Sequence, residues 1–261
     1  MNLHEFLIVC PLVFLAGFVD AIAGGGGLIS LPAYMFAGIP VHHAIATNKL
    51  SSATGTAVST WHLVKSKCVD IFLVPGTVAC AFVGSIAGAN LALIISDKVL
   101  KTVLVFVLPV VAFCVLRDKD LEPVIPEGFT RKKQYLIMAA CSFVIGIYDG
   151  FYGPGTGTFL LIMFMGLAHL TSMESAAYTK ILNLSSNVCS MVTFLLGGHI
   201  LLLLGLTASV FSIAGHYAGA GMVLKNGTKV IRPIILVVLA LLFIKIIFNP
   251  VSYTHLTLPT T

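Results

Sequence analysis

Four ionisable residues interrupt otherwise apolar stretches of this 261-residue chain: Asp20, Lys49, Asp149 and Lys180. An ionised side chain at the centre of a membrane helix costs about 2.5–3.5 kcal/mol on the insertion scale, so each asks for a use. Lys49, Ser52 and Thr56 are spaced i, i+3, i+7, which puts them on one helix face, with Asn48 beside the lysine. Lys180, Asn183 and Asn187 repeat that spacing. A basic head above a polar stripe suits a cavity-facing surface, where the ammonium would balance an anion's charge. The plainer alternative is a lysine snorkelling from near a helix end.

Each aspartate precedes a glycine break. Asp20 is followed by Gly24, Gly25, Gly26 and Gly27, and Asp149 by Gly153-Pro154-Gly155-Thr156-Gly157. Glycine allows positive φ and close approach of the backbone to a ligand. A half-helix that starts after such a break points free N–H groups and a positive dipole end at the break, a seat for an anion. The aspartates either titrate, giving proton coupling, or hold the breaks in shape as N-caps do. No partner for them is assignable from sequence, which favours the structural role. Gly84/Gly88 and Gly215/Gly219, at i, i+4, have the spacing of close helix packing instead.

The elements that must carry these residues are membrane helices. The chain is 58% hydrophobic and only 10% charged, against roughly a quarter charged in a soluble domain, and its mean hydropathy is +1.03. That excludes a soluble enzyme, a nucleic-acid binder and a disordered chain. The net charge of +5, from 15 basic and 10 acidic residues, is a sparse set in loops and implies no nucleic-acid partner. The bilayer is the expected partner. A hydrocarbon core of about 30 Å needs about 20 helical residues. Runs at 44–63, 70–95, 99–116, 134–152, 176–196 and 229–248 meet that, and 3–22 and 200–223 add two more. The first, with His4 and Glu5 and no basic flank, reads as a retained span rather than a signal peptide. Pieces at 28–39 and 157–169 are too short to cross and read as broken or re-entrant helices.

The expected fold is therefore all-α: a polytopic membrane protein of about eight transmembrane helices in two homologous halves, with a glycine-rich broken helix in each. Residues 1–116 form the first four-helix repeat, 117–133 a polar linker, 134–250 the second repeat, and 251–261 a tail with no assigned function. The duplication is legible directly. Gly17-Phe18-Val19-Asp20 matches Gly146-Ile147-Tyr148-Asp149 at an offset of 129, Lys49 matches Lys180 at 131, and the same 131 aligns Gly84-Ser85-Ile86-Ala87-Gly88-Ala89 with Gly215-His216-Tyr217-Ala218-Gly219-Ala220. Basic residues number seven (Lys65, Lys67, Arg117, Lys119, Arg131, Lys132, Lys133) on the N-terminal side of the membrane and five (Lys98, Lys101, Lys225, Lys229, Arg232) on the other, a small excess that favours cytoplasmic termini. Whether the repeats are parallel or inverted stays open.

Other features carry little chemistry. Cys10, Cys68, Cys80, Cys114, Cys141 and Cys189 form no CxxC pair and read as packing residues. His42, His43, His62, His169, His199 and His216 fall mostly near span ends with no metal-binding spacing, so neither metal nor cofactor is expected. Trp61 and Tyr34 suit anchoring at the membrane interface.

Together these motifs resemble the sulfite exporter TauE/SafE family. The resemblance rests on the stretch from Gly17-Phe18-Val19-Asp20 through Gly24-Gly25-Gly26-Gly27 to Leu31-Pro32, on Ala46-Thr47-Asn48-Lys49-Leu50, on Gly150-Phe151-Tyr152-Gly153-Pro154-Gly155-Thr156-Gly157, and on Lys180-Ile181-Leu182-Asn183-Leu184-Ser185-Ser186-Asn187. It covers about residues 3–248. It implies a multi-span permease of the bacterial inner membrane that moves sulfite, sulfonates or related sulfur anions, with the glycine breaks and lysines as the site. Three readings compete. The first is a secondary transporter of small sulfur-containing anions; no GxxxxGK[ST] motif for ATP is present. The second is a channel or a non-transporting subunit of a larger complex. The third is a membrane-embedded enzyme built on the two aspartates, disfavoured because no GxGD motif occurs and because paired breaks fit duplication better than a catalytic dyad. The chain is accordingly read as no enzyme. A homodimer is compatible with the sequence and not specified by it.

Overall fold

The structure, a computed structural model, describes residues 3–64, 69–70, 72–100, 102, 126 and 128–226. Eight helices fall within them: α1 (Leu3–Ala23), α2 (Gly27–Phe36), α3 (Val41–Val64), α4 (Val74–Ile94), α5 (Arg131–Phe151), α6 (Thr156–Gly166), α7 (Ser172–Leu196) and α8 (Leu202–Asn226). Most of the expected run 99–116, the run 229–248, most of the linker, the tail, and Cys68 and Cys114 lie outside the described residues, as do Lys65, Lys67, Lys101, Arg117, Lys119, Lys229 and Arg232. Arg131, Lys132 and Lys133, read from sequence as the linker's end, are the first turn of α5, where the Thr130 side chain caps the helix by accepting from the Lys133 amide.

Among the described residues, four helices are long and apolar enough to cross a membrane: α1, α4, α5 and α8. Their 20 or 21 qualifying residues rise about 30 Å, the thickness of the hydrocarbon core. Their outward residues, among them Leu3, Phe82, Ile94, Val144, Leu203 and Val210, are apolar and exposed, as a lipid-facing surface requires. The stretches 44–63 and 176–196, expected as ordinary spans, are long enough within α3 and α7 but not apolar enough to qualify. The reason is burial. Thr47, Asn48, Lys49, Ser51 and Thr56 of α3, and Thr179, Lys180, Asn183, Ser186 and Asn187 of α7, are all buried inside the protein, so these helices need not be greasy. Polar side chains of these two helices are thus sheltered inside a molecule that exposes many large apolar ones.

The packing interleaves the halves. α1 lies along α8, α4 along α5, and α3 against both α7 and α8, with α4 against α7. Exchanging each of α1–α4 for its counterpart in α5–α8 carries these contacts onto one another. The two tightest crossings are made by the i, i+4 glycines: a Cβ on Gly84 or Gly88 would lie 2.3 and 2.0 Å from the carbonyl oxygens of Phe143 and Ile147, and one on Gly215 or Gly219 would lie 2.1 and 2.4 Å from those of Phe14 and Phe18. Backbones approach this closely only where no side chain intervenes.

α2 and α6, of 10 and 11 residues, rise only about 15 Å each, half the hydrocarbon core. Each begins at a glycine break. Gly24 has φ +71, Gly153 +96 and Gly155 +82, in the left-handed region that side chains other than glycine's rarely adopt. α7 opens with a capping box, the Thr171 hydroxyl accepting from the Glu174 amide and the Glu174 carboxylate accepting from the Thr171 amide. Tyr34, expected at the interface, is instead fully buried, its hydroxyl 3.0 Å from the Ser51 hydroxyl; Trp61 is exposed.

Candidate anion site

The two glycine breaks meet at the centre of the molecule. Thr158 donates to the Gly24 carbonyl oxygen twice, from its amide at 3.1 Å and its hydroxyl at 2.8 Å. A Cβ on Gly24 would lie 3.0 Å from Gly157, and one on Gly27 would lie 2.9 Å from Pro154. The starts of α2 and α6 thus abut, one from each half. The amides of Gly27 and Gly157, in those first turns, donate to no acceptor among the described residues.

Each aspartate closes the helix before its break and reaches over the break. Asp20 Oδ1 accepts from the Gly26 amide at 3.2 Å. Asp149 Oδ1 accepts from the Thr156 hydroxyl at 2.7 Å, and its Oδ2 from the Ser186 hydroxyl at 2.5 Å. Each carboxylate also meets the lysine of the opposite half. Lys49 Nζ lies 2.8 Å from Asp149 Oδ2, and Lys180 Nζ lies 2.9 Å from Asp20 Oδ2 while also donating to the Asp20 carbonyl oxygen. Lys49 donates further to Asn187 Oδ1 at 2.9 Å, and Asn187 Nδ2 to Asn183 Oδ1 at 3.0 Å, so the polar stripe of α7 serves the lysine of α3. Both lysines are buried; neither snorkels.

A cavity opens against these groups. Of the residues expected at the site, Gly24, Gly26, Gly27, Asn48, Lys49, Ser52, Thr56, Gly153, Gly155, Thr156, Gly157, Asn183 and Asn187 line it, together with Asp20 and Asp149. Gly25 and Lys180 do not. Lys180, expected to face the anion, turns its ammonium to the main chain and carboxylate of Asp20, where a desolvated charge finds two acceptors. The Asn48 side-chain oxygen, in contrast, is buried with no hydrogen-bond partner.

Sequence reasoning missed several lining residues: Val13, Ala16 and Gly17 of α1, Ser30 of α2, Ser51 of α3, and Ser212 and His216 of α8. The apolar and small ones give no signal in one sequence. His216 does. It was grouped with histidines near span ends, but it is buried in the middle of α8, its Nε2 3.2 Å from Asp20 Oδ2. In the aligned segments it stands opposite Ser85, an ionisable residue against a serine inside a span. Among the described residues no group of three His, Cys, Asp or Glu side chains could hold a metal ion.

The chain matches the family described as Sulfite exporter TauE/SafE over residues 9–246. It is 35% identical over 240 residues to the probable membrane transporter protein YfcA of Escherichia coli, covering 90% of this chain and 87% of that one. It is 33% identical over 249 residues to a probable membrane transporter protein of a Sinorhizobium species, covering 95% and 94%, and 32% identical over 237 residues to one from Haemophilus influenzae, covering 90% and 92%. No solved structure matches it.

Proposed function

Because the chain belongs to the sulfite exporter TauE/SafE family of membrane transporters, we propose that it is a secondary transporter of small sulfur-containing anions, sulfite or sulfonates, in the cytoplasmic membrane. In this reading α1, α3, α4, α5, α7 and α8 span the bilayer, the stretches 99–116 and 229–248 bring the count to eight, the termini are cytoplasmic, and α2 and α6 are half-helices.

The observation that carries the reading is the abutment of two helix N-termini at a buried cavity fed by both halves. The first-turn amides of Gly27 and Gly157 and the positive dipole ends of α2 and α6 favour an oxyanion there. Lys49 supplies the ammonium, held by Asn187 and shared with Asp149. Lys180 acts at one remove, by fixing Asp20 over the first break. Broken helices in corresponding positions of two halves, meeting at one site, suit alternating access.

Flux of labelled sulfite into liposomes carrying the purified protein tests this, with protein-free liposomes subtracted and thiosulfate, taurine-like sulfonates and sulfate as competitors. Saturable flux that a competitor blocks, and that Lys49→Ala with Lys180→Ala loses, is the expected result. Absence of flux for every sulfur anion, from protein shown to be folded, rejects it.

A further inference from the structure

We propose that His216 is the proton-carrying group of this transporter, so that one proton crosses with each anion; the inference rests on the transport reading above. The hydrogen bonds carry the argument. His216 Nδ1 lies 2.9 Å from the Ser212 carbonyl oxygen, which can only accept, and 3.4 Å from the Ser212 hydroxyl, which can donate; the shorter contact favours a hydrogen on Nδ1. Nε2 lies 3.2 Å from Asp20 Oδ2, which already accepts from Lys180. A neutral ring would set the Nε2 lone pair against a carboxylate oxygen. A proton on Nε2 turns that contact into a charge-assisted hydrogen bond.

The ring sits in a slot made for it. A Cβ on Gly55 of α3 would lie 2.4 Å from His216 Nδ1, and one on Gly17 of α1 would lie 2.7 Å from it. The symmetry-related crossing, of α4 with α5 and α7, keeps a glycine, Gly146, opposite Gly17 but has neither the α3 glycine nor the histidine. Opposite Gly55, at an offset of 131, stands Ser186, whose hydroxyl donates to Asp149. Opposite His216 stands Ser85, whose hydroxyl donates to the Ser186 carbonyl oxygen. Two serines there do what a glycine and a histidine do here, so a histidine is not what the fold requires at this crossing.

Charge then assigns the role. Around the ring, α1 presents Asp20, α7 presents Lys180 through Asp20, α3 presents Gly55, and its own helix presents Ser212. Asp20 and Lys180 cancel, as do Asp149 and Lys49. His216 therefore decides whether the centre is neutral or carries one positive charge. A monoanion entering the protonated centre leaves it neutral. Entering the unprotonated centre it leaves a buried net negative charge, which a low-dielectric interior disfavours. Anion and proton thus strengthen each other's binding, reciprocally. The proton enters at Nε2 from the side that supplies the anion and leaves to water when the anion leaves.

The test is accumulation in proteoliposomes under an imposed pH gradient. The probes are labelled sulfite, with protein-free liposomes subtracted, and isethionate, whose sulfonate stays ionised throughout. Coupling of one proton per monoanion predicts that the monoanion, isethionate or the hydrogensulfite fraction of the sulfite probe, accumulates about tenfold per pH unit, on the alkaline side, independent of membrane potential. His216→Gln should abolish that dependence and flatten the pH profile of exchange. Gly55→Ser with Ser212→Ala and His216→Ser, which copies the symmetry-related trio Ser186, Ala81 and Ser85, should do the same in protein that melts normally. Flux that ignores the gradient in the natural chain, or a gradient response that survives both variants, overturns the inference and leaves the transport reading standing. Flux of neither probe overturns both.

Discussion

Lys49 of the first half and Asp149 of the second form a buried ion pair, Nζ to Oδ2 at 2.8 Å, and the opposite exchange, Lys180 to Asp20, is made at 2.9 Å. Neither half can satisfy its own lysine by these contacts. Each carboxylate also shapes the glycine break of its own half, through the Gly26 amide or the Thr156 hydroxyl. One group therefore ties together helix ends, breaks and halves, and a disturbance at one pair must be felt at the cavity between them.

Removing one partner of the Lys49–Asp149 pair strands the other charge. Asp149→Asn and Lys49→Met should each destabilise by about 3–5 kcal/mol, as broken buried pairs do. The double variant should recover part of that loss. Thermal unfolding in detergent, run as a double-mutant cycle, measures the coupling. Strict additivity would show that the pair contributes nothing as a pair.

The glycine run is not uniform. Gly24 has φ +71, and its Cβ would lie 3.0 Å from Gly157, whereas a Cβ on Gly25 would meet only Leu28 Cδ1 at 3.7 Å. Gly24→Ala should cost about 1–2 kcal/mol from the backbone conformation alone, and more from the clash, and it should abolish flux by parting the two breaks. Gly25→Ala should stay within about 0.5 kcal/mol. Equal effects of the two substitutions on melting and flux would show that the abutment of the breaks is unimportant.

Gly88 tests the α4–α5 crossing. An added methyl would lie 2.0 Å from the Ile147 carbonyl oxygen, while one on Gly221 would meet nothing within 4 Å. Gly88→Ala should lose about 1–3 kcal/mol by overpacking, and Gly221→Ala should melt like the natural chain in the same assay.

Much of this was legible in the sequence, for identifiable reasons. Lys49, Ser52 and Thr56 share a face because helical spacing dictates it, and the chain breaks at Gly24 and Gly153 because only glycine adopts those angles freely. Spacing along one helix does not say which other helix it meets. That Lys49 reaches Asp149 and Lys180 reaches Asp20 depends on α1 packing on α8 and α3 on α7, a tertiary choice. For the same reason Lys180 was expected in the cavity and is found turned from it. His216 is legible as an asymmetry, since the repeat alignment sets it against Ser85, but its contact with Asp20 depends on the same packing of α1 on α8.

Asn187 separates charge selection from mere shape. It holds Lys49 at 2.9 Å and lines the cavity. Asn187→Asp is nearly isosteric and would grip Lys49 harder, yet it adds a negative charge where the anion is proposed to sit. If the site selects its substrate by charge, that variant should lose flux more completely than Asn187→Ala, which forfeits a hydrogen bond to a charged group worth about 1.5–3 kcal/mol and so weakens apparent affinity by about tenfold or more. Initial rates of sulfite flux across a concentration series, for both variants, decide it. An aspartate that transports as well as the natural asparagine would mean that shape, and not positive charge, admits the substrate.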